Sequence, residues 1–163
     1  MNEKTNILVV DDEEVVCRAY LRALTAAHCN VEAVRDGKGA LDVMEQRAFD
    51  VVMLDLRMPG LDGMSVLKTI KEKWPQSEVV IITGYPTIET AKEAVRLGAY
   101  NYLTKPVGPD DVINVATRAM MQKRWSLQKE PMEPDAANCS SSGSGEAIAV
   151  PLRDRLPGRS EVE

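Results

Sequence analysis

The sequence predicts an α/β fold: a doubly wound, five-stranded parallel sheet in the order 2-1-3-4-5, with helices on both faces. Two observations carry this. Short β-branched runs alternate five times with stretches of helical apolar periodicity, within about 125 residues. The first, third and fourth runs are apolar throughout, as strands buried on both faces must be, while the second and fifth are shorter and more polar, which suits edges.

Ile7-Leu8-Val9-Val10 reads as the first strand, and Glu13 to about Ala26 as a helix with Val16, Ala19, Tyr20 and Ala23 on one face. Asn30 to Val34 is a weaker strand, followed by an Asp36-Gly37 turn. Gly39 to Arg47 is then a helix presenting Ala40, Leu41, Val43 and Met44. Val51 to Leu54 is the third strand, and Gly63 to Trp74 a helix stopped by Pro75. Val79 to Ile82 is the fourth strand, and Ile88 to Leu97 a helix closed by Gly98. Asn101 to Leu103 is the fifth strand. Pro109 opens a last helix with Val112, Val115, Ala116 and Ala119 inward.

Residues 1–129 are expected to form one domain. Residues 130–163, with EPMEPD and SSSGSG, have the composition of a disordered tail or linker. The net charge of −5 gives no nucleic-acid footprint. Cys17, Cys29 and Cys139 include no CxxC pair, which excludes a zinc knuckle, and free thiols fit a reducing compartment. The polar start MNEKTN and the short run Ile7 to Val10 exclude a signal peptide or membrane helix there, so the expected location is the cytoplasm, with no membrane partner.

Ligands of such sheets bind beyond the carboxyl ends of the strands, where the strand order reverses. Asp11 and Asp12 follow directly on the first strand and Asp55 on the third. Neighbouring strands lie about 4.8 Å apart, so these carboxylates should share one cleft. Their mutual repulsion is relieved by a hard divalent cation, and oxygen ligands with room for water and phosphate describe Mg²⁺. The fourth strand adds Thr83 and the unobstructive Gly84, and the fifth ends at Lys105-Pro106. A metal, a hydroxyl and a lysine around an aspartate suit a phosphoryl group carried on that aspartate, with Asp55 as nucleophile.

Singly, these residues have plainer readings. Asp11 and Asp12 could cap the first helix, Asp62 reads as the cap of the third, and Lys105-Pro106 could be only a turn. Their coincidence at four strand ends argues for a site. His28 reads as a surface loop residue, and Met44, Met53, Met58 and Met64 as core fillers.

Asp11-Asp12, Asp55 with MPGLDG after it, Thr83-Gly84 and Lys105-Pro106 resemble the receiver domain of two-component response regulators over residues 5 to 125. The segment TGYPTIETAKEAVRLGAYNYLTKPV is most similar to receivers of the nitrogen-regulatory type, whose fold is flavodoxin-like. The resemblance implies that Asp55 accepts phosphate from a sensor histidine kinase or phosphotransfer protein. It implies Mg²⁺ held by Asp11, Asp12, Asp55 and the backbone carbonyl of Arg57, with Thr83 and Lys105 on the phosphoryl oxygens. Tyr102 matches the aromatic switch position, Lys105–Pro106 is expected to be cis, and Arg57 and Tyr85 occupy positions that tune phosphate lifetime. The output would be a downstream effector read by the face of the fourth helix, fifth strand and fifth helix, in a monomer or a phosphorylation-dependent dimer. Such receivers normally precede an ATPase and a DNA-binding domain; neither follows in this sequence, so direct nucleic-acid binding is not expected.

Two other functions compete. An aspartyl-phosphate-forming Mg²⁺ phosphatase would carry an acid two residues after its nucleophile, where Arg57 stands. An unphosphorylated interaction module would have lost the aspartate, the acidic pair or the lysine, and all are present.

Overall fold

The computed structural model describes residues 3–128. The expectation for residues 130–163 lies outside the described residues. Strand β1 (Asn6–Val10) leads into α1 (Glu14–Ala26), β2 (Asn30–Val34) into α2 (Gly37–Gln46), and β3 (Val51–Leu54) into α3 (Gly63–Lys73). Then β4 (Glu78–Thr83), α4 (Ile88–Arg96), β5 (Asn101–Thr104) and α5 (Pro109–Gln128) complete the unit. The sheet is parallel, in the order β2-β1-β3-β4-β5.

Strand side chains alternate between faces, and the core divides accordingly. Leu8, Val10, Val52, Leu54, Val79 and Ile81 pack with Ala40, Met44, Val66, Leu67 and Ile70 on the side of α2 and α3. Ile7, Val9, Val51, Met53, Val80 and Ile82 pack with Cys17, Tyr20, Leu24, Val112 and Val115 on the side of α1 and α5. Every residue of β3 is buried, which its unbroken apolar run foretells.

Three local expectations are corrected. The buried stripe of α1 is Cys17, Tyr20 and Leu24; Ala19 is exposed, because the larger Leu24 side chain sets the rotation of the helix. Helix α2 starts at Gly37 rather than Gly39, because the Asp36 carboxylate accepts from the Gly39 N–H at 2.6 Å and caps it. The edge strands differ from the central ones chiefly in exposure and little in length: β2 has five residues and β5 four, against five in β1, four in β3 and six in β4. Asp62 caps α3 as expected, accepting from Ser65 N–H at 3.0 Å. Among the described residues no helix is long and apolar enough to cross a membrane.

Candidate functional site

Each strand end hands its functional residue to the site while the backbone is still paired. Asp11 N–H donates to Val34 O (3.2 Å), Asp55 N–H to Val10 O (3.0 Å) and Lys105 N–H to Thr83 O (2.8 Å). The side chains just beyond the sheet therefore inherit its rigidity. Asp11 and Asp55 are buried and Asp12 partly so, and one carboxylate oxygen from each lies within 4.8 Å of the others. These residues thus cluster as their strand positions predict.

Lys105 stands among them. Its Nζ lies 2.7 Å from Asp11 Oδ2, 3.2 Å from Asp55 Oδ2 and 3.0 Å from Glu13 Oε1. Burial opposes the ammonium charge, but the hydrogen bonds to Asp11 and Glu13, with the charges of Asp11 and Asp55, outweigh it and hold Lys105 above the usual lysine range. Burial also raises the Asp11 carboxyl above the usual range, only partly offset by Lys105 and the Glu13 N–H. The Lys105–Pro106 peptide is cis, as expected.

Thr83 is fully buried at the end of β4, where its Oγ1 accepts from Tyr85 N–H at 3.1 Å. A Cβ at Gly84 would meet only Lys105 Cδ among protein atoms, at an ordinary 3.8 Å. Arg57 N–H donates to Asp55 Oδ1 (3.3 Å), while its exposed guanidinium stacks over the Tyr85 ring at 4.2 Å. The Tyr102 hydroxyl lies 2.7 Å from Thr90 Oγ1 and accepts from Thr87 N–H at 3.4 Å, which ties β5 to the start of α4. Asp11 and Asp12 are not the α1 cap: the cap position is Glu13, although Asp11 Oδ1 accepts its N–H at 2.9 Å.

Sequence reasoning missed three contributors. Glu13 reaches Lys105, and Arg35 donates from Nε and a terminal nitrogen to the Asp12 carbonyl at 3.3 and 3.2 Å. Gly63 lies hard against the Asp55 backbone. The first two act through long, exposed side chains that no periodicity reports; the GLDG after the strand was the available signal for the third.

The model of the response regulator receiver domain matches residues 7–117. The chain belongs to that family. It is a receiver of the NtrC/NtrX type, as the segment after Thr83 indicated. It is 32% identical over 151 residues to the DNA-binding transcriptional regulator NtrC of Klebsiella pneumoniae, covering 93% of this chain and 32% of that protein. It is 37% identical over 119 residues to the transcriptional regulatory protein ZraR of Escherichia coli O157:H7, covering 73% and 27%. The chain spans about a third of the length of such curated relatives. Among solved structures, NtrX of Brucella abortus superposes with a TM-score of 0.73 at 35% identity, covering 77% of this receiver and 29% of that chain. A CheY-like receiver of Methanospirillum hungatei, at 22% identity and TM-score 0.74 over 76% and 99%, shows the same fold.

Proposed function

We propose that this receiver accepts a phosphoryl group on Asp55 from the phosphohistidine of a sensor histidine kinase or phosphotransfer protein. The observation that carries the reading is Lys105 Nζ at 3.2 Å from Asp55 Oδ2, inside a cluster of carboxylates at the sheet's switch point. In the step, an Asp55 carboxylate oxygen forms the new O–P bond as the P–N bond of the donor breaks. The imidazole nitrogen keeps the electron pair of that bond.

The donor set suits Mg²⁺. It is made of oxygen alone, three carboxylates converge, and one ammonium leaves them net negative. Asp11, Asp12, Asp55 and the Arg57 carbonyl would hold the ion. When bound, Mg²⁺ supplies positive charge against the phosphoryl oxygens. Lys105 supplies a second cation, already held beside the nucleophile. Thr83, whose Oγ1 accepts from the Tyr85 N–H, keeps its own O–H as a neutral donor for a phosphoryl oxygen.

Donation by Thr83 to a phosphoryl oxygen offers a route outward. Movement of Thr83 and the β4–α4 turn bears on the Thr90–Tyr102 contact, and so on α4, β5 and α5. The phosphate would bias an existing equilibrium of that face, where a downstream effector binds. Cys17 and Cys29 as free thiols suit a cytoplasmic setting. Arg57, two residues after Asp55, offers no general acid for a hydrolase.

The test is incubation with an acyl-phosphate donor and Mg²⁺ beside an Asp55→Asn control, read by intact mass. Mg²⁺-dependent phosphorylation confined to the parent is expected. Equal modification of the control, or none in either, would overturn the reading.

A further inference from the structure

Asp11, Lys105 and Glu13 close a ring of hydrogen bonds. Glu13 N–H donates to Asp11 Oδ1 (2.9 Å), while Lys105 Nζ donates to Asp11 Oδ2 (2.7 Å) and Glu13 Oε1 (3.0 Å). The same ammonium engages Asp55 Oδ2 at 3.2 Å. Lys105 therefore sits on the two buried carboxylates that a divalent cation must also use. Of its three carboxylate partners, only Glu13 lies outside the Asp11–Asp12–Asp55 group.

We propose that Glu13 is a positioning residue that keeps Lys105 at the site when a divalent cation takes the oxygens of Asp11 and Asp55. The inference rests on the phosphoacceptor reading above. An ammonium and a dication that draw on the same oxygens repel each other at close range. Lys105 must loosen its bonds to Asp11 and Asp55 as the ion enters, and its long stem is free to carry it into solvent. Glu13 opposes that loss. Its backbone is pinned to the cluster through Asp11 Oδ1, and its side chain, 60% exposed, stands on the solvent edge of the ammonium. Without the ion Lys105 has two other carboxylates. With the ion bound, Glu13 is the partner left to it. Loss of Glu13 therefore costs the loaded state more than the empty one.

The test is calorimetric titration of Mg²⁺ into the full chain as wild type, Glu13→Gln, Lys105→Met and the double variant, with Lys105→Gln replacing Lys105→Met if the latter does not fold. Glu13→Gln should weaken Mg²⁺ binding about two- to five-fold, the scale of an exposed ion pair. Lys105→Met should tighten it by removing the competitor. In the double variant the Glu13 substitution should then have no further effect. Wild-type affinity in Glu13→Gln, or an equal weakening in the Lys105→Met background, would overturn the inference; the second result would make Glu13 a general negative charge. Absence of Mg²⁺ binding to the wild type would overturn the phosphoacceptor reading itself, and this inference with it.

Discussion

Gly63 presses against the backbone of Asp55: a Cβ on Gly63 would lie 2.4 Å from the Asp55 carbonyl oxygen and 2.6 Å from Leu56 Cα. Its N–H also donates to Leu56 O at 3.1 Å, so the start of α3 braces the turn that presents the nucleophile. Backbone atoms cannot rotate out of the way as a side chain can. Gly63→Ala must therefore lift α3 or displace Asp55 from Lys105. The expected loss of stability is about 1–3 kcal/mol, as for other overpacked sites. Urea unfolding measures that loss, and phosphorylation from an acyl-phosphate donor should fall even where the variant remains folded. Parent-like values in both assays would show that the contact relaxes freely.

The Tyr102 hydroxyl and Thr90 Oγ1, 2.7 Å apart, join β5 to the first turn of α4. In Tyr102→Phe the Thr87–Thr90 capping box remains, because Thr90 N–H still donates to Thr87 Oγ1 at 3.0 Å and Thr87 N–H to Thr90 Oγ1 at 3.3 Å. The fold should lose no more than about 1 kcal/mol, the net worth of one hydrogen bond. Amide exchange should quicken in the first turn of α4 and stay unchanged in β4. Uniform quickening across the sheet would mean that the tyrosine is a packing residue and not a local tie.

The parts of this molecule that were legible in the sequence are those fixed by backbone periodicity. Asp11, Asp55 and Lys105 were readable because each is the first residue past a strand, and parallel strands deliver their carboxyl ends to one edge of the sheet. Glu13 and Arg35 were not, because their contacts depend on how far an exposed side chain reaches from a helix start or a loop. The α1 stripe was misjudged by giving Ala19 the weight that Leu24 and Cys17 carry. Cys17 is buried there, with its thiol donating to the Asp11 carbonyl at 3.2 Å. An alanine tolerates either side of a helix, so it fixes no rotation.

Glu78 opens β4 with its carboxyl partly buried, and burial raises it above the ordinary carboxylate range despite the nearby Lys71 and Lys123. Below its unfolded value of about 4.3 both states are protonated and the folded chain bears no charge cost. As the pH rises through the raised folded value, folding must leave an ionised group desolvated, and stability falls. Glu78→Gln should therefore be more stable than the parent at pH 7, and the difference should close below about pH 4. Paired thermal melts at the two pH values check this. A variant less stable at pH 7 would show that the carboxylate's pairing with the lysines outweighs its desolvation.

Asp12 is the partly exposed member of the acidic trio, and none of the hydrogen bonds or ion pairs found at the site uses its carboxylate. Asp12→Asn thus leaves the Asp11–Lys105–Asp55 bonds in place and removes one repelling charge. Without Mg²⁺ its melting temperature should equal or slightly exceed that of the parent. An ion that binds only the folded chain adds RT ln(1 + [Mg²⁺]/Kd), about 1.4 kcal/mol at ten times Kd. For a domain of this size that is a rise of roughly 3–8 °C in the parent. Asp12→Asn should lose most of the rise, because a hard cation loses an anionic ligand that no neighbour replaces. Melts with and without Mg²⁺, matched in ionic strength by NaCl, separate ligation from general screening of the acidic edge. An equal rise in both proteins would remove Asp12 from the ligand set and leave the ion to Asp11 and Asp55, where it must compete directly with Lys105.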